Sequence, residues 1–195
     1  MVASLAAWLA ASAAGSAAAR GPFEFGTARF WGVLLAAFQG LVLRRRGVSY
    51  MRWLVWSAGG WALGALIGAR LISGAVHGIV ALASGSLDTA PTDLVPTVAV
   101  FCILGAAQLG ALRTHMPAPL TWVALNGLAG VVITYVESPI RILLFAPAEA
   151  AAGLAGAEAA VGAALGAVYG AITAPQVARI WPATKRLLRD QRAEG

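Results

Sequence analysis

The sequence predicts an all-α integral membrane protein of six transmembrane helices, built as three parallel-repeat hairpins. Three observations carry that expectation. The 195 residues are 59% hydrophobic and only 11% charged, at a mean hydropathy of +0.78. A water-facing domain carries roughly a quarter charged residues. Apolar runs long enough to enter a bilayer recur along the chain. Finally, the chain aligns on itself at an offset of 69 residues, the step from Leu35 to Leu104. That shift lays Leu35-Ala36-Ala37-Phe38-Gln39 on Leu104-Gly105-Ala106-Ala107-Gln108, Leu43-Arg44 on Leu112-Arg113, Trp53 on Trp122 and Ser57 on Asn126. Internal duplication in so apolar a chain is the mark of a membrane architecture made from repeated helix pairs.

The elements follow in order. The first segment, residues 2–19, is Ala-rich and ends Ala17-Ala18-Ala19, which looks like a leader-peptidase site. A secretory leader carries a basic start, and nothing basic precedes Arg20. Its Trp8, Ser12, Gly15 spacing returns as Trp53, Ser57, Gly60, so it is expected as a true span. The second segment, about 30–43, is short against the roughly 30 Å of hydrocarbon and needs Phe23 or Phe25, or a snorkelling Arg44. The third covers 53–69, the fourth 95–112, the fifth 120–136 and the sixth about 159–178.

Two longer connections remain. Residues 70–94 hold His77, a short apolar helix expected at 74–83, and the polar stretch SGSLDTAPTD. Residues 137–158 begin ESPIRILLFAP, suited to lying at the interface, with Glu137 and Arg141 four apart and placed to pair on one helical face. Loops of such length in a compact domain are functional or mobile. The expected division is a six-helix domain at 1–180 and a basic cytoplasmic tail at 181–195.

Charge orients the bundle. With the N-terminus inside, ten basic residues (Arg44, Arg45, Arg46, Arg52, Arg113, Arg179, Lys185, Arg186, Arg189, Arg192) face the cytoplasm. Four (Arg20, Arg29, Arg70, Arg141) face outward. This bias predicts a bacterial cell-membrane protein with both termini cytoplasmic. The net charge of +6 is thereby explained by topology. No interleaved aromatic and basic face accompanies it, so nucleic acid is not an expected partner. The tail, with its cations around Leu187 and Leu188, reads first as a positive-inside anchor and second as an amphipathic helix on anionic lipid.

The repeat reaches a third copy. One helix type carries Trp8-x3-Ser12, Trp53-x3-Ser57 and Trp122-x3-Asn126; the other carries Leu35-Ala36-x2-Gln39, Leu104-Gly105-x2-Gln108 and Leu165-Gly166-x2-Tyr169. A shift of two helices preserves direction, so the copies are parallel. A six-helix ring about a pseudo-threefold axis is the simplest closure. Gln39 precedes Arg44 by five residues, about 7.5 Å of helix, and Ser57 lies one turn beyond Trp53. Gln39, Gln108, Tyr169, Ser12, Ser57 and Asn126 are therefore the candidate intramembrane polar layer. Buried amides and hydroxyls of this kind hydrogen-bond across helices, either as structural glue or as the lining of a polar constriction. Gly60-x3-Gly64-x3-Gly68 and Gly162-x3-Gly166-x3-Gly170 are candidate close-approach faces.

Catalytic constellations are not legible. His77 and His115 fall on opposite sides in this topology, and HExxH, GxSxG and Walker patterns are all missing. Cys102, the single cysteine, has neither a disulfide partner nor metal-ligand neighbours in sequence and reads as a small buried hydrophobe. No catalytic residue, metal or cofactor is therefore expected.

The run GLVLRRRGVSYMRWLVWSAGGWALG resembles a type of uncharacterised polytopic protein common in cyanobacteria and Chloroflexi. Those proteins repeat a Gln then Leu-Arg helix end, a short turn, and a Trp-x3-Ser/Ala-x2-Gly helix. Gln39, Leu43-Arg44, Trp53, Ser57 and Gly60 match closely, and Gln108, Leu112-Arg113, Trp122 and Asn126 in part. The third copy departs, with Tyr169 and no Leu-Arg. The resemblance implies a fold class and a bacterial membrane setting, with no activity to carry over. The leading expectation is a non-enzymatic binding, scaffold or accessory-subunit role, with the lipid bilayer and a membrane-protein complex or homo-oligomer as partners. The alternative is a small transporter or channel with a pathway along the repeat axis.

Overall fold

The structure is a computed structural model that describes residues 2–20, 31–84, 94–116 and 118–180. Every regular element among them is helical. They are α1 (Val2–Arg20), α2 (Trp31–Arg44), α3 (Tyr50–Gly64, continuing with wider π-type winding through Ala65–Ile72), α4 (Ser73–Ser84), α5 (Leu94–Leu112) and α6 (Pro119–Arg179). Three helical stretches are long and apolar enough to cross a membrane, Tyr50–Val76, Leu94–Leu112 and Pro119–Arg179, while the apolar parts of α1 and α2 are shorter. Phe23, Phe25, the SGSLDTAPTD stretch beyond Ser84 and the basic residues of 181–195 lie outside the described residues, and the side chain of His77 is likewise not described.

Helix ends follow local chemistry. At the end of α2, Val48 N–H donates to Leu43 O at 3.2 Å and Gly47 N–H to Arg44 O at 3.0 Å. This is a Schellman stop, and it needs a left-handed residue, supplied by Gly47 at φ 79°. Val48 and Leu43 bury together beneath it. Ser49 then caps α3, its hydroxyl accepting from Arg52 N–H at 3.4 Å. Pro119 occupies the first turn of α6, where a missing N–H costs nothing.

The fifth and sixth segments differ from expectation in one respect. The connection at 137–158 keeps helical winding, so both segments fall within one 61-residue helix, broken only at Gly153 (φ 70°, ψ −176°). The arms on either side run antiparallel, because Tyr169 meets Asn126 while Arg141 meets Glu158, nearer the bend. A short helix in the 70–94 connection is also present, as α4.

Contacts close a circuit. α1 packs on α2, α2 on α3, α3 on α5 and α5 on the first arm of α6, whose second arm returns to α1. Small residues set the spacing. Gly60, Gly64 and Gly68 lie against Leu104, Val100 and Pro96 of α5, and Gly166 and Gly170 lie against Ser12, Ser16 and Leu9 of α1. Both expected glycine faces are therefore helix–helix contacts. Large apolar side chains such as Leu41, Val55, Leu63, Leu120 and Leu128 point outward instead. An outward apolar surface suits lipid as its solvent, and the protein is a membrane protein by this criterion.

The interior is layered. One apolar cluster gathers Trp8, Leu43, Trp53, Leu112, Trp122 and Val177, where the α2–α3 and α5–α6 turns lie. A second, toward the other end, gathers Leu35, Trp61, Phe101, Leu104, Ile133 and Leu165.

Candidate functional site

Between those clusters sit all six polar residues singled out from the sequence. Ser12, Gln39, Ser57, Gln108, Asn126 and Tyr169 are buried to 1% exposure or less. They meet in pairs: Gln39 Nε2 donates to Ser12 Oγ at 2.9 Å, Gln108 Nε2 to Ser57 Oγ at 3.2 Å, and Tyr169 OH to Asn126 Oδ1 at 2.7 Å. The pairs join α2 to α1, α5 to α3 and the two arms of α6 to each other. A buried carboxamide left unpaired costs roughly 1–3 kcal/mol, so the pairs are what makes these residues tolerable there.

One turn from this layer, three indoles meet face to edge. The ring centroids of Trp8, Trp53 and Trp122 are 6.4, 6.2 and 6.1 Å apart, with interplanar angles of 66°, 66° and 72°. The triangle is close to equilateral. Each indole N–H donates to another helix: Trp8 of α1 to Thr173 Oγ1 of α6 at 2.9 Å, Trp53 of α3 to Ala36 O of α2 at 3.0 Å and Trp122 of α6 to Gln108 Oε1 of α5 at 2.8 Å. Side-chain bonds thus link each helix of the circuit to the next. Edge-to-face indoles fill the centre with apolar area and leave no polar atom pointing inward.

The three pairs are not chemically equal. Gln108 uses both ends of its amide, through Ser57 and Trp122. Gln39 uses one: its Oε1 is buried without a partner, because Trp53 bonds a backbone carbonyl instead. Ser16 Oγ and Gln176 Oε1 are also buried and unpartnered. Amides, hydroxyls and indoles are neutral at physiological pH, so this layer carries no fixed charge. Among the described residues no three His, Cys, Asp or Glu converge as a metal site would require. Cys102 is half-buried, its sulfur seated over Gly127.

Sequence reasoning missed two features. Thr173 and Gln176 are buried polar positions that the sequence pattern did not single out. At the far end of the bundle, a cleft of about 560 Å³ lies between the starts of α4 and α5 and the first arm of α6. Its floor includes Pro96 and Ile133, and Ser73, Thr97, Thr134, Glu137, Ser138 and Arg141 supply its polar lining. The guanidinium of Arg141, one helical turn from Glu137, forks onto Glu158 across the Gly153 bend, Nη1 to Oε1 at 2.6 Å and Nη2 to Oε2 at 3.1 Å. The i, i+4 spacing brought Arg141 to notice, but nothing in the sequence signalled Glu158. Comparison with family models, curated proteins and solved structures returns no match for this chain.

Proposed function

We propose that the protein is a six-span scaffold or accessory subunit of the bacterial cell membrane, with no reaction of its own and both termini cytoplasmic. In this reading α1 and α2, α3 and α5, and the two arms of α6 are three related hairpins about a pseudo-threefold axis. The observation that carries the role is the closed centre of the bundle. Neutral groups bond one another in a buried layer, and the indole triangle seals the axis beside it. A pathway for a polar solute would need groups that hydrate, and five of the six residues of this layer spend their polar atoms on one another or on an indole, Gln39 Oε1 being the exception. The outward apolar face then supplies the surface for packing against lipid, a second copy or a larger complex.

Purification from native membrane in mild detergent tests this reading, with an absorption spectrum and mass spectrometry of whatever co-elutes. A stoichiometric partner or pigment is the expected result. A homogeneous, colourless particle without one would overturn it.

The alternative, a small transporter or channel along the same axis, is favoured by one observation. The carbonyl oxygen of Gln39 is buried and unpartnered, as the lining of an intermittently wet path would be. Flux into liposomes that Gln39→Leu and Gln108→Leu abolish would establish it.

A further inference from the structure

We infer that the outward seam between α3 and α5 holds the phosphate of an anionic phospholipid between Arg52 and Arg113, beside the indole of Trp56. The site needs only a bilayer around the chain and stands whichever role the bundle plays.

Register comes first. α3 and α5 run antiparallel, with Ser57 bonded to Gln108, Gly60 against Leu104 and Gly64 against Val100. Five residues further along each helix, toward the α5–α6 turn, the same register sets Arg52 level with Arg113. The Arg113 N–H still bonds Leu109 O at 2.9 Å, so the helical direction of α5 holds to that point. A Cβ on Gly110 would strike the Trp56 ring, so the indole covers the seam, yet it stays 45% exposed. Arg52 stands four residues before Trp56 and Arg113 three after Gly110. Each arginine therefore shares a helical face with one side of the covered seam.

Chemistry comes second. Both arginines are exposed, and neither guanidinium donates to another group among the described residues. Arg46, by contrast, spends an N–H on the Ile180 carbonyl at 3.2 Å. The Trp56 N–H is also without a partner among the described residues. A guanidinium carries five N–H donors in a planar fork that matches phosphate oxygens, and the indole N–H is a further donor beside them. The described carboxylates, Glu137, Glu149 and Glu158, all lie on α6 around the Gly153 bend, toward the other end of the bundle. No described carboxylate stands at Arg52 and Arg113 to meet an ammonium, so the seam favours a headgroup of net negative charge.

Shape comes third. Val55, Leu63 and Leu66 extend the outward stripe of α3 past Trp56. Cations, then an indole, then exposed apolar side chains is the order in which a phospholipid presents phosphate, glycerol esters and acyl chains. The repeat offers a comparison. Its offsets carry Arg52 onto Ala7 and Thr121, Arg113 onto Arg44 and Ala174, and Trp56 onto Ala11 and Leu125. Two arginines and an indole coincide in the middle copy alone. A positive-inside signal accounts for arginines at this end, but not for their placement on both sides of an outward indole.

Native mass spectrometry of the full chain in detergent tests the site, with equimolar phosphatidylglycerol, phosphatidylethanolamine and phosphatidylcholine. One phosphatidylglycerol is expected to be retained in preference to the other two. Arg52→Gln and Arg113→Gln should each reduce that preference about tenfold, the scale of one charge-assisted hydrogen bond. Arg44→Gln removes the same charge from the same end of the bundle but from another helix end, and should leave the preference nearly unchanged. Equal retention of the three lipids by the native chain would overturn the site. So would a preference unchanged in either Arg52→Gln or Arg113→Gln, or a drop as large in Arg44→Gln, which marks a diffuse charge effect. Glycerophosphoglycerol, which lacks acyl chains, and a hexaglutamate peptide should not displace the lipid at equal concentration. Displacement by the first would assign the seam to a soluble phosphodiester, and by the second to an acidic protein segment; either overturns the assignment to a lipid.

Discussion

The seam between α1 and the second arm of α6 closes the circuit, and Gly166→Ala tests it directly. A Cβ at Gly166 would strike the Ser12 carbonyl oxygen and the Ser16 side chain. The Ser12 carbonyl is backbone within a helix and cannot turn aside, so the helices must separate. Overpacking of this kind costs about 1–3 kcal/mol, and backbone collision belongs at the upper end. Ala replacing Gly in a helix recovers about 1 kcal/mol. The expected net loss is therefore about 2 kcal/mol. Gly59→Ala is the internal control, since nothing lies within 4 Å of the Cβ it would add. It should be neutral or stabilising by up to about 1 kcal/mol. The two variants should thus differ by about 3 kcal/mol, more than a hundredfold in unfolding equilibrium. Reversible unfolding in mixed micelles of rising denaturing-detergent fraction, read by tryptophan fluorescence, measures the difference. A Gly166→Ala midpoint equal to the native one, or a Gly59→Ala loss as large, would refute the close seam.

Three further outcomes are expected. Gln108→Leu strands the Trp122 N–H and Ser57 together, whereas Gln39→Leu strands Ser12 and removes a carbonyl that was already unpartnered. In the same assay Gln108→Leu should cost more by about 1 kcal/mol, and equal losses would contradict the asymmetry. Trp53→Ala empties one corner of the indole triangle; it should cost about 3–5 kcal/mol and collapse the near-ultraviolet dichroism of the coupled rings. Retention of that signal would show that the rings are not coupled. For topology, single cysteines in a Cys102→Ser background answer to an impermeant maleimide on inside-out vesicles: Gly195→Cys and Ser4→Cys should label and Ser86→Cys should not. The opposite pattern would invert the charge-based orientation.

Much of the polar layer was legible because its signals are periodic and local. Gln39 and Gln108 recur at one offset, each followed by Leu-Arg and then Trp, and helical rise converts that spacing into depth. The glycine faces were legible for the same reason: Gly60, Gly64 and Gly68 share a side of any α-helix. The stop of α2 at Gly47 was not read from the sequence, although a left-handed helix end favours glycine. The continuous winding from 137 onward was not legible. Pro139 and Pro147 signal breaks, yet the chain stays helical through both and turns at Gly153, one of many glycines in an Ala-rich stretch.

Composition and period by themselves determined an all-helical, membrane-compatible chain and picked out the polar residues that the structure buries. Both depend only on hydropathy and on 3.6 residues per turn. Which acceptor each donor takes was decided by the tertiary structure alone. Trp122 finds the Gln108 amide while Trp53 finds a backbone carbonyl, and Gln39 is left with an orphaned oxygen. The same holds for Arg141, whose partner Glu158 arrives only because the arms of α6 fold back on one another. Hydrogen bonds are decided within a few tenths of an ångström. Sequence spacing places a side chain on a helical face, and only packed helices bring two faces to that distance.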